Sequence, residues 1–365
     1  MTATRTGVAA AALMGAAGSA FAQGVFLGST RSTGVAMSGN GAVIIGSEGT
    51  WYRRVNNSDS DMPVVPGAQA GVATAVNWNG SVVVGHNYFP GVNSQAAQWV
   101  QRVGTSLLPL PPGLGTVTYS EATAVNGAGN VIAGYALTAG PTRTLVRWVD
   151  GVAQALPSLT LGGLTYNPMM DGSGSMIVGT NAASQPFVWT EGGTVTLPTA
   201  GVNGAVEAVS SDGNVIAGFT YTNTAVRTPV RWIHEADGWT MHAMGTPAPG
   251  TGLFRAYDTN GDGSIVVGTW SFGGHTYPMV WTQDYGYLYL SRILEQLGIT
   301  PQSWTLDTIL GISDDGRTLF GEGRNFTIPA TRDWMVTSLQ FAIPSPSGLG
   351  LLVLSGLAGL RRRRG

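Results

Sequence analysis

Along the chain, hydrophobic positions come in short β-branched runs that each close on a glycine: VIIG ending at Gly46, VVVG at Gly85, VIAG at Gly134, MIVG at Gly179, VIAG at Gly218, IVVG at Gly268 and TLFG at Gly321. A polar turn precedes each run, as at Asn79-Gly80, Asp212-Gly213 and Asp315-Gly316. A tryptophan follows each one, at Trp51, Trp99, Trp148, Trp189, Trp232, Trp281 and Trp334. The spacing of these anchors, roughly 40–50 residues, is that of a four-stranded propeller blade.

One repeat reads as four strands. The first is of the ATAV type (Ala73–Val76), followed by a tight Asn-Gly or Asp-Gly hairpin turn, which needs positive φ. The second is the run itself, whose final glycine leaves room for close backbone approach. The third ends on the tryptophan, as in AAQWV and PVRWI. The fourth is a SLLPLP or TVTLP segment, with proline where an outer edge strand tolerates it. A lone sheet of this kind exposes two greasy faces, so the sheets must cover one another.

The predicted fold is therefore all-β: a seven-bladed β-propeller of four-stranded blades spanning 23–342, with a β-solenoid as the rival. The seventh repeat lacks a clear fourth strand, while an orphan strand, GVFLGS (Gly24–Ser29), sits at the other end. That strand is expected to join the last blade and clasp the ring. YLSRILEQLGI, with apolar Leu290, Ile293, Leu294 and Leu297, is the one helical pattern and falls between repeats six and seven.

The two ends read as address labels. Residues 1–22 have a basic Arg5, an apolar stretch and Ala20-Phe21-Ala22, the form of a secretory signal peptide. Residues 343–365 hold Pro344, Ser345 and Pro346, then the apolar Gly348–Leu360, then Arg361, Arg362, Arg363 and Arg364. As a helix the apolar stretch reaches roughly 20 Å, against a hydrocarbon core of ~30 Å. With these ends set aside, the body is more acidic than the whole chain's net charge of −2. All 18 basic side chains are arginine, and no basic stripe in the body suggests nucleic-acid binding. The count of 0 Cys rules out disulfides and thiolate metal sites.

The repeated A-V-[N/S]-x-x-G-x-[V/I]-[I/V]-x-G…W resembles the HAF repeats of secreted bacterial proteins. The tripartite tail resembles PEP-CTERM sorting signals, with Pro-Ser-Pro in place of Pro-Glu-Pro. The resemblance implies an exported, surface-associated propeller, sorted by an exosortase-type enzyme, and it supplies no catalytic residues.

The chain contains no G-x-S-x-G, G-x-G-x-x-G, P-loop or H-E-x-x-H motif. DTNGDGSIVVGT has Asp258, Asn260 and Asp262 at the first three ligand positions of a calcium loop, but Thr269 stands where the bidentate acid belongs. The other reading is repeat six's turn, lengthened by two residues. Glu121, Glu207 and Asp307, at strand starts, are candidates to line the channel as a hydrolase or lyase pair. Trp78, Trp239, Trp270 and Trp304 lie outside the repeat register and are candidates to stack on a polysaccharide. The expected function is non-catalytic binding or scaffolding of a polysaccharide or surface protein, with a polysaccharide-active enzyme as the alternative.

Overall fold

The computed structural model describes residues 25–29, 33–138, 143–161, 167–223, 226–247, 252–327, 330–337 and 339. The signal-peptide candidate, residues 1–22, and the tail residues Pro344–Pro346 and Arg361–Arg364 lie outside them. The described chain forms seven antiparallel sheets. Their first strands are Gly34–Met37, Ala70–Val76, Val117–Val125, Met169–Met170, Asn203–Val209 and Leu253–Thr259, plus the split pair Trp304–Leu306 and Gly311–Ile312. Each first strand neighbours the next, and the seventh returns to the first. The ring is closed, and the solenoid alternative is excluded. The early strand Val25–Gly28 pairs with the third strand of blade seven, from Val25↔Thr337 to Gly28↔Trp334, and completes that blade as expected.

The repeated turn is built differently from the tight hairpin expected. Seven equivalent side chains, Ser38, Asn77, Asn126, Asp171, Ser210, Asn260 and Ser313, each accept the backbone N–H five residues on, at 2.8–3.0 Å. The glycine three residues on has φ between +70° and +85° in every copy. The residue before it is not at positive φ, so the loop is a longer one folded around the capping side chain rather than a two-residue primed turn. That preceding Asn or Asp earns its place otherwise: Asp212 Oδ1 accepts Asn214 N–H and Asp315 Oδ1 accepts Arg317 N–H.

The anchor glycines face an irregularity in the first strand. Ladder register shifts at Thr74, Thr123, Glu207 and Tyr257, each skipped opposite an anchor glycine. A Cβ on Gly85, Gly134, Gly218 or Gly268 would sit 2.0–2.1 Å from the carbonyl oxygen of the residue two before the skipped one. Only glycine lets the bulged strand lie that close.

The core is a series of seams. Apolar clusters lie between blades one and two (Val83, Trp99), two and three (Val84, Trp148), three and four (Leu145, Trp189), four and five (Val188, Trp232), five and six (Phe254, Trp281), and six and seven (Val280, Trp334). The tryptophans also serve as inter-blade hooks: Trp148 Nε1 donates to Pro109 O and Trp232 Nε1 to Pro198 O, both at 2.6 Å. Arginines reach the other way, with Arg53, Arg147 and Arg231 lying 5.4, 5.3 and 4.2 Å from the rings of Trp99, Trp189 and Trp281 in the next blade. Each guanidinium sets its charge against the ring quadrupole while Arg53, Arg147 and Arg231 keep an N–H donating to Gly80 O, Gly174 O and Gly263 O of the next blade. The tryptophan register is shared by blades two to six but not by all seven. Trp51 pairs with Ser47, beyond its anchor glycine, because the intervening hairpin is very short; it is nevertheless fully buried.

The seam between blades seven and one is polar. Asp333, with no exposed surface, accepts Gly34 N–H at 3.1 Å, Tyr52 O–H at 3.0 Å and Arg54 Nη1 at 3.5 Å. Burial pushes its carboxyl above the usual range. The helix α1 (Leu290–Gln296) lies between blades six and seven with Leu290, Ile293 and Leu294 buried in their shared cluster.

Two stability measurements test this account by chemical denaturation. Gly134→Ala is expected to cost about 1–3 kcal/mol through forced backbone displacement, while Gly192→Ala, which meets only a side-chain oxygen at ordinary contact distance, stays within about 0.5 kcal/mol. Asp333→Ala removes the acceptor shared by Gly34 N–H, Tyr52 O–H and Arg54, which keeps its pair with Asp59 at 2.7 Å, and is expected to cost about 1–3 kcal/mol.

Candidate functional site

The channel has two unlike mouths. At the end where the first strands finish, the seven turns are stitched to one another. Backbone bonds run from Asn40 N to Trp78 O, Gly127 N to Gly172 O, Gly172 N to Ser211 O, Asp212 N to Gly261 O, Gly261 N to Asp314 O and Asp314 N to Gly39 O, all at 2.8–3.0 Å. The remaining junction is bridged by Asn77 Nδ2 to Gly127 O at 3.2 Å. Ser211 Oγ donates to Asp314 Oδ1 at 2.6 Å, from blade five to blade seven. The cavity within, about 520 Å³, is lined by all seven blades, including Trp78, Asp258 and Met170.

The calcium-loop residues belong to this end and have other work. Asp258 accepts Thr259 N–H and Ile312 N–H at 2.8 and 2.9 Å, fastening blade six to blade seven. Asn260 is the turn-capping side chain, and its amide donates to Asp262 Oδ1 at 2.8 Å. An N–H aimed at that carboxylate occupies the place a shared cation would need. The turn has the same length as the other six, so the expected two-residue extension is not there. Among the described residues no group of three His, Asp or Glu side chains is placed to hold a metal.

Toward the opposite end, where the first strands begin, a largely buried polar cluster occupies positions the repeat leaves free. One such position follows the anchor glycine, and in blades two and three it holds His86 and Tyr135. Glu121 sits between them, its Oε2 accepting Tyr119 O–H at 2.8 Å and Tyr135 O–H at 2.7 Å. His86 Nδ1 is 3.9 Å from Oε1. Burial lowers the His86 pKa against the pull of Glu121, so the ring is neutral near pH 7. Burial, reinforced by Glu121, raises both tyrosines, Tyr135 to about 12. The Arg143 guanidinium lies 3.7 Å from the Tyr135 ring and donates to Asn167 Oδ1 at 2.7 Å.

Asn167 in turn lines a cleft of about 210 Å³, shared with Glu207, Arg255 and Tyr257. Glu207 is the bulged residue of blade five; its side chain is 6% exposed and accepts Ala256 N–H at 2.9 Å, with Arg255 Nε at 3.7 Å. Burial outweighs these partners and lifts its carboxyl to about 7. Asp307 is paired with Arg324 at 3.1 Å on the more exposed side of blade seven. The three carboxylates are thus each engaged by their own partners.

The four off-register tryptophans divide. Trp78 is 51% exposed at the stitched mouth. Trp239 meets the His234 ring in a tilted contact at 4.9 Å on the outer strand of blade five. Trp304 lines a rim cleft. Trp270 is 3% exposed, packed against Gly252 and Phe272, and its buried ring has no face left for a ligand. Tyr119, Tyr135 and Arg143 were not singled out from sequence; the usable signal was the residue type just after each anchor glycine, which changes from repeat to repeat.

No known family profile matches the chain, and no characterised protein matches it in sequence. Solved structures match in shape. The oligogalacturonate lyase from Vibrio parahaemolyticus superposes with a TM-score of 0.56 at 9% identity, covering 86% of this chain and 92% of that one. The β-propeller domain of the Trilobed protease from Pyrococcus furiosus gives 0.54 at 9%, covering 86% and 99%. TolB from Acinetobacter baumannii gives 0.45 at 10%, covering 73% of this chain and 63%, under two thirds, of its own length. The likeness is one of fold.

The raised carboxyls have a definite pH signature. Glu207 and Asp258, both lifted to about 7 chiefly by burial, favour the folded state most while protonated. Their contribution is complete below about pH 4, near the unfolded values, and is lost as pH rises through about 7. Glu207→Gln is therefore expected to gain stability relative to the native chain as pH is raised from about 4 to 8, read from denaturant midpoints at each pH. A flat difference would contradict the assignment.

Proposed function

We propose that the protein is an exported β-propeller that binds an extracellular polysaccharide at the mouth where its first strands begin, acting as a surface or matrix component without catalysis. The observation that carries this reading is the state of the carboxylates. Glu121 is held by two tyrosine hydroxyls, Glu207 by a backbone N–H beside Arg255, and Asp307 by Arg324. Groups so engaged make a stiff, preorganised platform rather than a free acid–base pair. The leader-like N-terminus and the PEP-CTERM-like tail support export, with processing by an exosortase-type enzyme.

A second reading, a polysaccharide hydrolase or lyase, is favoured by one observation: Glu207, with its pKa near 7, has the poise of a general acid. The propeller resembles an oligogalacturonate lyase in fold.

A glycan array run beside reducing-end and unsaturated-uronate assays separates the two. The binding reading expects retention of a polysaccharide, weakened about tenfold by Arg255→Ala, with no new chain ends. Product formation that is abolished by Glu207→Gln would establish the enzyme instead.

A further inference from the structure

Among the described residues one helix, α1, interrupts the regular repeat, and the insertion that carries it builds a second cleft. The chain leaving blade six forms α1, then descends through Ile299–Pro301 into Trp304, the start of blade seven. Between this insertion and blade six lies a cleft of about 530 Å³, as large as the stitched end of the channel and within the usual range for a ligand site.

Three aromatic side chains line it. Tyr277 and Tyr289 meet edge to face at 5.8 Å, and Tyr289 is 38% exposed. Trp304 faces them from blade seven, braced by Phe26 of the closing strand at 5.5 Å, edge to face. Gly28 of the same strand makes room for the indole, since a Cβ there would fall 2.4 Å from its ring. Hydroxyls of Ser291, Thr276 and Thr300 stand around the rings, and the only ionisable acid is Glu295, which is paired with Arg292 at 3.1 Å.

We propose that this rim cleft is a binding site for a neutral oligosaccharide. Aromatic faces suit the C–H faces of pyranose rings, and surrounding hydroxyls with one carboxylate suit their hydroxyl groups. Charge gives no purchase for a polyanion. A peptide strand is served poorly: outer-strand pairing in blade six begins only at Met279↔Tyr289, and beyond it Pro278 offers no N–H, as Pro301 offers none across the cleft. The site is independent of the channel mouth, with which it shares no lining residue, so variants at Tyr289 and Arg255 report on the two separately.

The test is calorimetric titration of the full chain with cellohexaose, xylohexaose, mannohexaose and an oligoproline peptide. At least one hexasaccharide is expected to bind, with Tyr289→Ala weakening it about tenfold and Glu295→Gln about threefold. Trp304 also braces the closing strand, so Trp304→Phe is compared with the native chain for both melting temperature and affinity; retained melting with reduced affinity is expected. Absence of binding to all three sugars, binding indifferent to Tyr289→Ala, or binding of the oligoproline alone would each overturn the proposal.

Discussion

Everything in this molecule follows from the need to cover two apolar faces on a thin sheet without helices to do it. Each blade buries its faces against its neighbours, so stability is held in seams and no blade stands alone. Such an arrangement leaves one question open at every step: what stops the series from continuing, or from joining a second molecule? The last seam answers it. Asp333 needs the Gly34 N–H, the Tyr52 hydroxyl and the Arg54 guanidinium together, and only the first blade supplies them. A generic greasy partner would leave that carboxylate buried and unpaired, at a cost of about 3–5 kcal/mol. The closing strand Val25–Gly28 then completes blade seven, so the ring is fixed by one polar seam and one sheet edge.

What the sequence made legible is what repeats. The anchor glycines, the tryptophans and the blade count are signalled several times over, because the same packing problem is solved in every blade, and the closing strand shows as the one piece left over from that count. The turns show the limit of such reading. Asn-Gly and Asp-Gly suggested a primed two-residue turn, yet the decisive side chain lies two residues earlier, at Asn77 or Ser210, and its reach to the fifth residue is invisible to a dipeptide signal. Trp51 is a second case: it occupies the expected order in sequence but a different register, because a short hairpin moved it past its glycine. The polar seam was illegible for a different reason. Asp333 and Arg54 lie 279 residues apart and only ring closure brings them together.

The same division separates structure from chemistry. Positions identical in every copy are consumed by packing, so distinctive chemistry falls where copies differ. The residue after the anchor glycine is serine, threonine or glutamate in some blades, but His86 and Tyr135 in two adjacent ones, and there the Glu121 cluster forms. The bulged residue is Thr74 or Thr123 early in the ring, where its hydroxyl bridges to the next blade, but Glu207 and Tyr257 later, where it lines a cleft. The insertion carrying α1 belongs to the same class.

The two mouths differ in what they can yield on meeting a ligand. At the stitched end, the groups that could answer a ligand are backbone amides and carbonyls already bonded to the next turn, and opening it would break several inter-blade bonds at once. At the other end side chains share the joining with a few backbone bonds such as Gly204 N to Ser184 O: Ser47, Thr180 and Glu207 each accept an N–H of the adjoining blade. Arg255, with a half-exposed side chain 5.0 Å from the Tyr257 ring, can turn toward a ligand without loosening the ring. A rigid annulus beneath a set of adjustable side chains is an economical way to bind, because the ordering cost of association is confined to a few side chains while the ring contributes none.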